Sequence, residues 1–121
     1  MSQSPSQQAV LDNKQTKHFL QNQINISTNT YKEKSMHLNE IKYALKDVND
    51  FPDNHEMYKS YGRLFIKIPQ PVARLDMEEK QNNLLKDIER IQNTIESLNK
   101  QIVKSDEKMN DIIHGELKKV K

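Results

Sequence analysis

MYKSYGRLFIKIP, residues Met57 to Pro69, is the stretch on which the fold turns. Its Gly62-Arg63 pair fits the centre of a type II′ turn, which takes glycine first. That turn sets Tyr61 opposite Leu64, Lys59 opposite Ile66 and Met57 opposite Ile68. Ser60 then faces Phe65 and Tyr58 faces Lys67 on the other side of the ribbon. One face carries the aliphatic row Leu64, Ile66 and Ile68, and Phe65 with Tyr58 makes the other partly apolar. A lone two-stranded hairpin is marginal in water. It buries neither face, and its two edges carry unpaired N–H and C=O groups that invite further strands. The sequence offers no third strand. The hairpin therefore reads as an oligomerisation device that contributes strands to a shared β-barrel platform.

On both sides of it the periodicity changes. Met77, Leu84, Ile91, Leu98, Ser105 and Ile112 recur every seven residues, interleaved with Gln81, Ile88, Ile95, Ile102 and Met109. Spacings of four and three held over five heptads mark a coiled-coil seam. Upstream, Leu20, Ile24, Tyr31, Leu38, Ile41, Leu45 and Val48 keep the same spacing, with Asn13, Lys17, Ser27 and Lys34 at weaker seam positions. Each arm is roughly 45 residues, or about 67 Å at the helical rise of about 1.5 Å per residue. Near-equal arms around one connector predict an antiparallel pair of helices. A parallel two-chain zipper through the second arm is the competing reading, which the matched first arm disfavours.

The expected layout is mainly α: a terminal disordered tip at 1–5, a first coiled-coil helix at 6–51, the hairpin at 55–69 and a second helix at 71–117. Pro52 ends the first helix, because proline lacks the amide and restricts its predecessor. Pro71 is tolerated in the opening turn of the second. Antiparallel folding brings Val10 and Leu11 together with Met109, Ile112 and Ile113. Leu11 and Ile113 fall just outside the seam, and Asn13, Lys17 and Ser105 weaken the zipper nearby. A loosely closed tip with exposed aliphatic and Met surface suits adaptable, nonspecific contact with apolar chain segments.

Composition agrees with elongated, solvated helices. Only 34% of the 121 residues are hydrophobic and 30% are charged, where a globular core draws on about half of the residues. The net charge is only +2, from 19 basic and 17 acidic residues, which argues against a disordered polyelectrolyte. No cysteine is present, so there is no disulfide framework or thiol nucleophile. No apolar run approaches the roughly 18 residues of a membrane span, and MSQSPSQQ lacks the apolar stretch of a signal peptide. A cytoplasmic protein with no membrane partner is expected.

Enzymatic chemistry finds no foothold. Two glycines, Gly62 and Gly115, cannot build a phosphate-cradling loop. His18, His37, His55 and His114 are scattered, and no nucleophile–base pair is apparent, so no catalytic residue, metal or cofactor is expected. Lys118, Lys119 and Lys121 form a small basic tail, too slight for a nucleic-acid face.

Helix, Tyr58-Lys59-x-x-Gly62 strand, short aliphatic strand at Leu64 and Ile66, then an Ile/Leu heptad helix resembles the β-type prefoldin subunits along nearly the whole chain. The Gly62-Arg63-x-Phe65 variant is most similar to the eukaryotic subunit-one branch, although Tyr61 replaces the aliphatic residue common before that glycine. The resemblance implies an ATP-independent holdase, one of two α-type and four β-type subunits in a hetero-hexamer. It further implies capture of unfolded proteins such as actin and tubulin, and their delivery to the cytosolic chaperonin. On this reading Tyr58, Tyr61, Gly62, Leu64, Phe65, Ile66 and Ile68 serve assembly, and Val10, Leu11, Met109, Ile112 and Ile113 hold the client. A coiled-coil scaffold or tether without chaperone activity is the alternative.

Overall fold

A computed structural model describes residues 5–120, with side chains described through Gly115. The chain runs α1 (Pro5–Asp50), β1 (Met57–Tyr61), β2 (Leu64–Ile68) and α2 (Gln70–Val120). Two long helices thus flank one antiparallel hairpin, the architecture expected from the heptads and the Gly62-Arg63 turn. The boundaries move slightly. Pro5, assigned above to the terminal tip, opens α1, where a missing amide costs nothing. The helix after the hairpin begins one residue before Pro71 and runs past Leu117. The rest of the expected tip, 1–4, and the side chains of Lys118, Lys119 and Lys121 lie outside the described residues.

The chain divides into two compact units, Tyr31–Arg90 and the segments on either side of it. In the unit that holds the hairpin, Leu38, Leu45 and Val48 of α1 are buried with Ala73 and Ile88 of α2. Ile41, Met77, Gln81 and Leu84 are half-buried between them. Each fully buried aliphatic side chain of this kind contributes about 1.5–3 kcal/mol. Lys34 Nζ meets Asp87 Oδ2 at 3.3 Å, and Gln70 Nε2 meets the Val48 carbonyl at 2.8 Å. As one partner advances along α1 the other retreats along α2, so the helices are antiparallel here.

The connector is fastened at both helix ends. Phe51 donates its amide to the Val48 carbonyl, and His55 donates to the Pro52 carbonyl at 2.9 Å, closing the turn around Pro52. The Phe51 and His55 rings stack with centroids 4.2 Å apart. The amides of Val72 and Ala73 both donate to the Pro69 carbonyl at 3.1 Å, which starts α2. Gln70, only 3% exposed, donates to the carbonyls of Val48 and Phe51. A side chain in the first turn of one helix thereby adds a donor to the carbonyls at the end of the other.

In the other unit the seam is completed by Leu20, which is buried, with Ile24, Ile95, Leu98, Ile102, Met109 and Ile112 half-buried. Asn13 and Ser105, the polar positions expected to weaken this zipper, are each 7% exposed and meet each other. Asn13 Nδ2 donates to the Ser105 carbonyl at 2.8 Å, and Ser105 Oγ donates to Asn13 Oδ1 at 3.0 Å. Beside them Lys17, exposed rather than in the seam, pairs with Asp106 at 2.8 Å. The polar seam positions are matched to each other, and the zipper is closed there by hydrogen bonds.

Candidate functional site

The hairpin has the register read from the sequence: Met57 opposite Ile68, Tyr58 opposite Lys67, Lys59 opposite Ile66, Ser60 opposite Phe65 and Tyr61 opposite Leu64. Gly62 has φ of 60°, and no non-glycine residue described has positive φ. That combination fits a type II′ turn rather than I′, which would need Arg63 at positive φ as well. The sheet has two strands, so each keeps one edge unpaired. Phe65 is 72% exposed and Leu64 67%. Tyr58, Tyr61 and Ile66 are also exposed, and Met57, Lys59 and Ile68 are half-buried. The helices cover neither face of the ribbon. A row of large apolar side chains and two open edges face solvent together.

Charged contacts hold this ribbon at its root and leave its apolar faces free. Glu56 accepts hydrogen bonds from Tyr58 Oη at 3.0 Å and from Lys67 Nζ at 3.2 Å. The Tyr58 hydrogen bond, then the hydrogen bond and charge of Lys67, hold the Glu56 carboxyl below the usual carboxylate range. The same contact with Glu56 raises the Tyr58 phenol. On the other face Lys59 Nζ reaches Asp76 of α2 at 3.4 Å and lies 5.4 Å from the centre of the Tyr61 ring. Asp76 raises the Lys59 ammonium. Burial pushes the Asp76 carboxyl up, but hydrogen bonds from Lys80 and Lys59 and their charges outweigh it and leave it low.

The second group of candidate residues lies in the other unit and divides by exposure. Val10, Met109 and Ile112 are half-buried along the seam, while Leu11 and Ile113 are exposed outside it. Further apolar side chains stand exposed on α1 at Phe19, Ile26, Met36 and Tyr43. Among the described residues no three His, Asp or Glu side chains are grouped as a metal site, and no helix is long and apolar enough to cross a membrane.

The family model for prefoldin subunits matches residues 11–116, both helices and the hairpin between them. The chain belongs to the prefoldin subunit family. It is similar to the prefoldin subunit beta of Pyrococcus horikoshii, 32% identical over 75 residues, which cover 62% of this chain and 58% of that protein. The prefoldin subunit beta of Pyrococcus abyssi is 31% identical over the same fractions. The alignments thus span less than two thirds of these curated relatives. The fold is that of the prefoldin beta subunit from Thermococcus strain KS-1, with a TM-score of 0.80 at 22% identity. That superposition covers 92% of this chain and 96% of the other. The beta2 subunit of the same strain gives 0.64 at 15% identity, over 73% and 94%. The one-hairpin form and these relatives are consistent with a β-type prefoldin.

Three features of this prefoldin chain escaped the heptad reading. Counting back from Met77 by three and four reaches Arg74 and Gln70, so the cap on α1 sits on the seam line. The Asn13–Ser105 match was open to anyone pairing seam positions across the two helices, since both are polar. The Glu56 clamp had no such signal, because Glu56 lies outside either strand.

Proposed function

We propose that this chain is a subunit of a hetero-hexameric prefoldin, built with α-type and other β-type subunits through its hairpin. The observation that carries the reading is the exposed hairpin itself, apolar on its faces and unpaired along both edges. Strand addition satisfies those edges, and burial of Tyr58, Tyr61, Leu64, Phe65, Ile66 and Ile68 supplies the apolar area. Gly62 sets the register that presents them. Assignment to the subunit-one branch rests on Gly62-Arg63-x-Phe65.

In the assembled particle this subunit acts as an ATP-independent holdase in the cytoplasm. It covers apolar segments of unfolded clients, actin and tubulin among them, until they pass to the cytosolic chaperonin. Val10, Leu11, Met109, Ile112 and Ile113 form its share of the client surface. Weak contacts from several subunits add through effective concentration and need no deep pocket. The test is dilution of chemically denatured actin into buffer containing the assembled complex, followed by light scattering. Suppressed aggregation without nucleotide supports the holdase; scattering equal to buffer alone refutes it.

A further inference from the structure

Through the unit that holds the hairpin, the side of α2 facing away from the seam is polar except beside the ribbon. Counted from Val72 in steps of three and four, that side carries Leu75 and Asp76 and then only polar residues through Arg90. Val72 is 50% exposed and Leu75 65%. A surface helix ordinarily keeps its solvent face polar. Two large apolar side chains one turn apart break that rule at one place.

The hairpin leans over the same place. Lys59 Nζ reaches Asp76 Oδ2 at 3.4 Å, and Lys59 lies directly opposite Ile66, with the Tyr61–Leu64 pair next along the same face of the ribbon. Cross-strand partners share a face. The bridge therefore turns the aliphatic face of the hairpin toward the side of α2 that carries Val72 and Leu75. At the root of that face Met57 and Ile68 are half-buried, but Leu64 and Ile66 farther out stay 67% and 48% exposed. The result is a corner with Leu64 and Ile66 on one wall, Val72 and Leu75 on the other, and an ion pair between them. Asp76 also holds Lys80 at 3.3 Å. Charge thus rims an apolar patch, as it does at the edge of a protein interface.

We propose that this corner seats part of a neighbouring prefoldin subunit, so that the assembly interface runs from the hairpin onto the first two turns of α2. This rests on the hairpin-assembly reading. A strand added to the ribbon's edge lies about 4.8 Å from its neighbour, which brings the incoming subunit against Leu64 and Ile66 and so to the mouth of the corner. Burial across both walls then adds to strand pairing. A client segment would have to share the first wall with that incoming strand, whereas a subunit covers both walls in one arrangement.

The experiment titrates a double variant, Val72→Gln with Leu75→Gln, against the other prefoldin subunits of the source organism. Glutamine is a good helix former, and both positions face solvent in the isolated chain. The double variant alone should therefore keep the helix content and melting temperature of the wild type. Its assembly should be at least tenfold weaker. Val103→Gln, at another exposed apolar position of α2, should assemble like wild type. Wild-type affinity in the double variant overturns the proposal; if client protection falls there as well, the corner serves the client instead. Equal losses from Val103→Gln overturn it too, because position on α2 then does not matter. Should the glutamine pair lose helix content, Val72→Ala with Leu75→Ala decides: a loss of affinity there supports the proposal and wild-type affinity overturns it. Phe65→Asp, on the opposite face of the ribbon, separates the two readings. If it abolishes assembly while the glutamine pair does not weaken it, the corner alone fails. If it leaves assembly unaffected, the hairpin reading fails and the corner with it.

Discussion

Gly62 is the position where the backbone leaves least choice. Its φ of 60° is one that side-chain-bearing residues rarely adopt, yet a Cβ there would meet nothing within 4 Å. Substitution therefore costs backbone strain and no steric clash, and β-branched residues resist this region most. Gly62→Val should weaken assembly by about 1–3 kcal/mol, read as a shift in a subunit titration. Asn13 and Ser105 make a different kind of demand. Asn13→Ala leaves the Ser105 hydroxyl buried without its acceptor, which should destabilise the chain by about 1–3 kcal/mol in a denaturant melt. Asn13→Leu with Ser105→Ala should recover most of that loss, at the expense of register, because matched polar seam positions select one alignment. The turn was legible because glycine at that place has one strong meaning. The pairing of Asn13 with Ser105 was not read because a polar residue in a seam shows its match only when its partner's position is known.

At the scale of elements, the hairpin is a surface held out by its root. Phe65→Asp places a charge where assembly would bury an apolar ring, and an unpaired buried charge is costly. It should abolish complex formation while leaving the helical circular dichroism of the chain unchanged, because Phe65 lies outside both helices. The root clamp carries a pH dependence whose sign is fixed. Glu56 is held below its ordinary range, so its contribution is complete above that range and is lost as pH falls through the lowered value. Tyr58 is raised, so the same hydrogen bond is complete below its ordinary range and is lost as pH rises through the raised value. Hairpin order, followed by the Tyr58 ring resonances, should be flat around neutrality and fail in acid. Glu56→Gln should remove the Glu56 share of that acid transition and leave the share of the Asp76–Lys59 bridge, whose carboxyl is also held low.

For the whole molecule, the heptads foretold both helices and the strand alternation foretold the ribbon between them. Each repeats one signal many times, so single polar interruptions do not erase it. What stayed hidden were contacts made once, between residues distant in sequence: Gln70 on the carbonyls of Val48 and Phe51, and Lys59 on Asp76. The candidate site was legible to the same degree. The hairpin residues follow from alternation, whereas the exposure of Leu11 and Ile113 depends on how far each stands off the seam. If those residues hold clients, deleting 1–12 together with 109–121 should leave the assembled complex intact by gel filtration. The same deletion should reduce its suppression of client aggregation. Full protection by the truncated complex would move client binding to other surfaces, with exposed Phe19, Ile26, Met36 and Tyr43 the next to test.

The central claim is that this prefoldin chain is completed by other subunits through its hairpin. Native mass spectrometry of the tagged protein drawn from its own cells, beside its Phe65→Asp variant, tests it most directly. The account predicts a mixed hexamer of different prefoldin chains for the wild type and none for the variant. A wild-type monomer, an assembly of this chain alone, or a hexamer that forms equally well with Phe65→Asp would contradict it.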